Sequence, residues 1–241
     1  MKPYYNWIKF STYKYAARIS ELKDYDGSGE IILQCTQLSE KDYPKKRDRD
    51  NVLKEWIQFF TQNPNEIKKL HVLGRMNQKL FDAICYQESL EELIIKWGTY
   101  PNIQNIRNLK KLKFLSLCGN VQTKDVTPIG ELEQLEALEL ENFTGTTDYS
   151  FIGNLKCLKQ LEIHSSMDGL IKLDNLDFLK NIKGLKHIET TGFRLHSHDY
   201  SPILALKELE YLSINMPYYD YDKWNGILAT EFSDIPYNMH R

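Results

Sequence analysis

The chain has 241 residues, of which 41% are hydrophobic, and a formal net charge of -2. That is the composition of an ordinary globular protein, and so even a charge balance excludes the broad electrostatic pull that carries non-specific binding to nucleic acid or to anionic membranes. No run approaches 18 uncharged apolar residues, so no membrane-spanning helix is expected.

In the first twenty residues, Lys9 and Lys14 interrupt every candidate apolar core, so the stretch does not read as a secretory leader. Cys35, Cys85, Cys118 and Cys157 form no Cys-x-x-Cys pair and stand 33 to 50 residues apart. That usage fits reduced thiols, and with the missing leader it points to a cytoplasmic protein. Gly27-Ser28-Gly29 reads as a turn, because the lysine and helix of a phosphate cradle are absent. Residues 30–38, EIILQCTQL, read as a strand, and the charged run 45–50, KKRDRD, as a solvated loop. Residues 50–62 predict an amphipathic helix capped by Asp50 or Asn51, with Val52, Leu53, Trp56, Ile57, Phe59 and Phe60 on its apolar side. Residues 1–66 thus read as an N-terminal cap.

From residue 67 the chain repeats itself. IKKLHV (67–72), LEELII (90–95), LKFLSL (112–117), LEALEL (135–140), LKQLEI (158–163), LKHIET (185–190) and LEYLSI (209–214) share one pattern. Their central residues are Leu70, Leu93, Leu115, Leu138, Leu161, Ile188 and Leu212, separated by 23, 22, 23, 23, 27 and 24 residues. Before most strands, apolar residues recur every third position, as in Ile129, Leu132, Leu135 and Ile152, Leu155, Leu158. A three-residue period suits a tight 3₁₀ turn, whose i and i+3 side chains eclipse. Each unit should therefore place a short strand on one side and a helical turn on the other. Stacking then buries the leucines in one continuous column.

Together these units resemble the leucine-rich-repeat family, and most closely its 22-residue type found in bacterial internalins and in a regulatory subunit of protein phosphatase 1. The resemblance covers about residues 67–216. It implies a right-handed solenoid, an α/β repeat with a curved parallel sheet on the concave side and 3₁₀ or short helices on the convex side. The family's ladder asparagine is clean only at Asn120; Trp97, Phe143, Ser166, Phe193 and Pro217 replace it elsewhere. Less regular turns and variable loops are expected there. Residues 217–241, with Trp224, Ile227, Leu228 and Phe232, read as the second cap.

Strand alternation then predicts a site. With the repeat leucines inward, Glu139, Glu162 and Glu189 fall on adjacent concave rungs about 4.8 Å apart, where like charges repel by roughly 0.2–1 kcal/mol per pair. Lys159 and Lys186, beside Glu136 and Glu210 in a column of mixed sign, are expected to screen them. Glu141, His164 and Asn215 flank that column on one side, and Phe114, His187 and Tyr211 on the other. Trp97 and Met216 in exit loops, with Tyr218 and Tyr219, add aromatic and methionine anchors of the kind enriched at interfaces. Phe143 and Phe193 are expected under neighbouring loops. The whole set reads as a partner-binding face, its acidic part suited to a basic protein surface. Seven rungs span only on the order of 460 Å², short of the roughly 800 Å² per partner of a standard interface, so loops or caps should join any contact.

Catalytic or metal chemistry has fewer residues to draw on. His196-Ser197-His198-Asp199 is the one dense run of metal-type ligands. His164 and His187 lie near glutamates but without a nucleophile. The reading is accordingly a non-enzymatic protein-binding module without cofactor, metal or nucleic-acid partner, monomeric, and in a narrower form an inhibitor or immunity protein. An enzyme or metal protein using the concave His/Glu or the His196/His198/Asp199 loop, and a self-associating adaptor, are the alternatives.

Overall fold

Alternating apolar residues in each repeat generate the strands of a parallel sheet. A computed structural model describes residues 18–165 and 169–240. The residues read against a secretory leader lie almost wholly outside these, as does Ser166. In chain order the strands are β1 (Arg18–Ile19), β2 (Glu30–Leu33), β3 (Lys69–Val72), β4 (Met76–Asn77), β5 (Glu92–Ile95), β6 (Gly98–Thr99) and β7 (Phe114–Leu117). They continue as β8 (Ala137–Glu141), β9 (Gln160–His164), β10 (Ile171–Leu173), β11 (His187–Thr191), β12 (Phe193–Leu195), β13 (Tyr211–Asn215) and β14 (Tyr237–His240). Ten of them form one sheet in the order β1-β2-β3-β5-β7-β8-β9-β11-β13-β14. The short pairs β4–β6 and β10–β12 lie apart from it. The seven repeat copies occupy β3 through β13 of the large sheet, and three further strands extend it at the two ends.

Five 3₁₀ helices return the chain: Gln104–Asn108, Thr127–Glu131, Ser150–Asn154, Asp177–Asn181 and Ser201–Ala205. They are short because the apolar period is three. Ile129, Leu132 and Leu135 are fully buried, as are Leu138 and Leu140 of the strand that follows. Between β3 and β5 the return is instead an α-helix, α2 (Gln78–Ile84), whose start is fixed by Asn77 Oδ1 accepting from Leu80 N at 3.0 Å. A side chain before each 3₁₀ helix does similar work. Asn102, Asp125, Asp148, Asn175 and Asp199 each accept, at 2.8–3.0 Å, from the backbone N–H two residues on.

The expected 27-residue interval leaves the sheet register intact. Ile188 pairs with Leu161 on one side and Leu212 on the other. The extra residues form β10, which pairs with β12.

Several expected boundaries move. Helix α1 (Lys46–Gln62) takes in the KKRDRD run that reads as a loop, and neither Asp50 nor Asn51 caps it. Asp48 falls in its first turn, where a negative charge is favoured, and Arg49 reaches back to Tyr43 O at 2.6 Å. Charged helix formers on an exposed face thus extend the helix by one turn. Of its six apolar positions, Val52, Trp56 and Phe60 are buried, and Trp56 Nε1 donates to Ser20 O at 2.7 Å. The strand expected over 30–38 ends at Leu33. In α3 (Tyr218–Glu231) and just beyond it, Trp224, Leu228 and Phe232 are buried at four-residue spacing, while Ile227, off that stripe, is exposed.

Candidate functional site: the concave face

The strand residues that do not enter the leucine column face the other side of the sheet, in columns whose members the register fixes. Ser116, Glu139, Glu162, Glu189 and Ser213 are successive partners. Phe114, Ala137, Gln160, His187 and Tyr211 form the column on one side. Glu141, His164 and Thr191 lie on the other. These are the expected columns.

Exposure departs from expectation. Glu139, Glu162 and His187 are buried, and Met216 is 1% exposed, packed into the apolar core. Ile94 is buried as well, against Ala137 and half-buried Phe114 in a small apolar cluster. Alternation dictates which face a side chain takes but not how deeply its neighbours cover it. Here rungs about 4.8 Å apart set the central column between flanking Phe114, Gln160, His187 and Tyr211 on one side and Glu141, His164 and Thr191 on the other. Glu141, Glu189, His164, Tyr211 and Asn215 remain half-buried. Phe143 and Phe193 are buried as expected.

The buried carboxylates are held by neighbours in the same or the adjoining columns. Ser116 Oγ donates to Glu139. Gln160 Nε2 donates to Glu162 Oε1. His164 Nε2 lies 3.1 Å from Glu162 Oε2, and its Nδ1 lies 3.0 Å from Thr191 Oγ1. Farther along the face, His71 Nε2 meets Glu92 Oε1. Burial pushes the Glu139 carboxyl up to about 7; the Ser116 hydrogen bond opposes this, and the negative charge of Glu162 adds to it. Burial alone would depress His164, but its hydrogen bond to Glu162 and the surrounding carboxylates raise it. The supporting residues Ser116, Gln160 and Thr191 escape a reading that looks for charges. Their shared columns are the signal that finds them.

His187 is arranged differently. It is 3% exposed, and its ring stacks on Tyr211 with centroids 4.4 Å apart at 5°. Among the described residues, neither of its ring nitrogens has a hydrogen-bond partner. Its Nε2 stands 3.7 Å from both Glu162 Oε1 and Glu189 Oε2.

Lysines expected to screen the acids turn elsewhere. Lys159 pairs with Glu136 and Lys186 with Glu210, each at 2.7 Å, where the strands begin. Lys113 and Glu91 repeat the arrangement at 2.8 Å.

Three aromatic rings are exposed at the opposite edge, where the strands end, and Tyr86, just beyond α2, is exposed away from it. Trp97 is 36%, Tyr218 65% and Tyr219 56% exposed. Trp97 lies under the Arg75 guanidinium at 5.7 Å, and Tyr219 meets the His198 ring edge-on at 5.0 Å. Asn120, the one clean ladder asparagine, donates to Tyr100 O at 3.1 Å. Where phenylalanine replaces it at 143, Tyr149 Oη donates to Phe143 O at 3.2 Å instead.

The His196-Ser-His198-Asp199 run does not converge. His196 Nδ1 faces Asp174 at 3.1 Å, His198 Nδ1 faces Asp220 at 3.0 Å, and Asp199 accepts from Ser201 N. Each side chain is engaged in a different direction.

With this geometry in view, the fold is that of a leucine-rich-repeat solenoid. A leucine-rich-repeat protein of Leptospira interrogans superposes with a TM-score of 0.53 at 17% identity, over 72% of this chain and 49% of that one. This chain therefore spans about half the length of the Leptospira protein. Internalin C2 of Listeria monocytogenes aligns over 70% of this chain and 87% of its own at 16% identity, TM-score 0.49. A plant peptide hormone receptor, solved in complex with RGF2, aligns over 76% of this chain and 26% of its own at 19% identity, TM-score 0.45. No family profile matches the chain, and neither does any curated protein sequence. Among the described residues, no helix is long and apolar enough to cross a membrane.

Proposed function

We propose that the chain is a non-enzymatic protein-binding module, acting as a monomer, that seats a protein partner on its concave face and the loops at its strand ends. In this reading residues 67–216 carry the repeats, and residues 1–66 and 217–241 close the two ends of the apolar column. The observation that carries it is the exposed aromatic edge of Trp97, Tyr218 and Tyr219 beside that face. Large rings left in water at one edge supply anchors that a partner can desolvate. Even ten rungs offer a strip only on the order of 700 Å², below the roughly 800 Å² of a standard interface, so the edge loops are needed. A basic partner surface finds support in Glu141 and Glu189. It loses the support of Glu139 and Glu162, which are withdrawn into the sheet, and the narrower inhibitor or immunity reading loses the same support.

Site-directed photo-crosslinking tests this. A photoreactive phenylalanine at position 97 or 219 should give adducts of one defined mass in the native lysate, and one at Lys180 on the convex side should not. Tyr218→Ala with Tyr219→Ala should weaken binding of the captured protein by at least about 10-fold. Adducts from position 180 alone, or equal adducts from all three positions, would sink the reading.

A further inference from the structure

His187 poses a problem of local chemistry. Burying an imidazole without satisfying its nitrogens is costly, and ring stacking on Tyr211 compensates the ring faces, not the nitrogen lone pair. The Nε2 atom points between two carboxylate oxygens, each 3.7 Å away, beyond hydrogen-bonding distance. Two ligands on one tetrahedral metal, each about 2.0–2.1 Å from it, lie about 3.4 Å from one another. Among the described residues, Glu162, His187 and Glu189 offer ligand atoms that all lie within 4.8 Å of one another. The two His187 distances need about 0.3 Å of closure to reach that spacing, and the two glutamates start within 4.8 Å of each other.

We propose that the concave face binds a divalent transition-metal ion between β9 and β11, with His187 Nε2, Glu162 and Glu189 as its ligands. The elements that hold these groups are already built. Glu162 is oriented by the Gln160 amide and by His164, which in turn leans on Thr191; outer partners of this kind fix ligand geometry in metal sites. Tyr211 fixes the plane of the His187 ring. Glu189, with its side chain 33% exposed, gives the ion a route in from solvent. One imidazole and two carboxylates are borderline-hard donors, which favour zinc, cobalt, nickel or manganese over magnesium or calcium. Binding of the ion here does not depend on the identity of a protein partner.

Full-length protein, stripped with chelator and desalted, should take up Zn²⁺ in a one-to-one calorimetric titration. Co²⁺ in its place should give visible d–d absorption of a low-coordinate site. His187→Phe keeps the stacked ring and removes the nitrogen. It should weaken Zn²⁺ binding by more than about 10-fold and abolish the Co²⁺ band. Glu189→Gln, at a half-exposed position that tolerates the amide, should weaken binding in the same direction and serves if His187→Phe fails to fold. His196→Ala with His198→Ala should leave both signals unchanged. The proposal falls if the wild-type protein shows no saturable Zn²⁺ site. It falls equally if the folded His187 and Glu189 variants bind as the wild type does, or if the signal disappears with the His196 and His198 pair.

Discussion

Burial separates the four cysteines. Cys35 and Cys85 are buried, Cys118 is partly covered and Cys157 is exposed. Burial pushes the Cys35 thiol up to about 12, and lifts Cys85 and Cys118 well above their ordinary value. For Cys118 the carboxylates of Glu139 and Glu141 act in the same direction, against its hydrogen-bond contact with Ser116. The thiolate is the reactive form, so each of these three is both shielded and protonated at neutral pH. One thiol per chain should therefore react rapidly with a disulfide reagent under native conditions, and Cys157→Ser should remove that fast phase. A second fast thiol would contradict the packing described for the sheet. The same logic of cover explains why Glu139 and Glu162, charged residues on a nominally open face, are not available as a charged surface. Each is enclosed by its rung neighbours and tied to a hydroxyl or an amide.

At the scale of the element, the unit that recurs is the acidic or amide side chain two residues before the first N–H of each 3₁₀ helix. A 3₁₀ helix this short has almost no cooperative stability of its own, so an acceptor at its entry weighs heavily. The carboxyls of Asp125, Asp148 and Asp199 are held below their ordinary range by hydrogen bonds from Thr127, Ser150 and Ser201. A depressed carboxyl contributes stability that is complete above its unfolded value of about 3.9 and is lost as pH falls through the lower folded value. Stability should thus decline below about pH 4. Replacing all three by Asn should flatten the urea midpoint between pH 5 and pH 3, because Asn accepts the same bond without titrating, as Asn102 and Asn175 already do. Asp148→Ala should cost about 0.5 kcal/mol at neutral pH, the low end for an intramolecular hydrogen bond, given its exposure. An unaltered pH profile in the triple Asn variant would mean that these turns do not set the acid limit. Much of this level is legible in the sequence, since the leucine spacing fixes both strand register and the three-residue return. Less legible is where a helix begins among charged residues, as at Lys46, because charge patterns there suit helix and loop alike. Depth on the concave face is also hidden. The period of two assigns Glu139, Glu162 and His187 to a side, yet their burial depends on neighbours 23 to 27 residues away that only the stacked fold brings alongside.

At the scale of the molecule, the architecture is nearly one-dimensional: each strand pairs only with its immediate neighbours along the sheet. Stability is then a sum of repeat terms and nearest-neighbour terms, and damage should spread only as far as that coupling carries it. Leu138 tests this, because it is fully buried at the centre of β8, between Leu115 and Leu161 in register. Leu138→Ala removes buried methyl groups and leaves a cavity, at a cost of about 2–5 kcal/mol. If the solenoid unfolded as a single unit, amide exchange would accelerate equally throughout. Nearest-neighbour coupling predicts a graded result instead: the greatest loss of protection in β7, β8 and β9, a smaller loss in β5 and β11, and little change in β2 or α1. Hydrogen exchange followed by mass spectrometry resolves these segments directly. A uniform loss from β2 to β13 would mean that the long apolar column, continuous from Leu33 to Leu212, couples the ends more tightly than the pairing of adjacent strands implies.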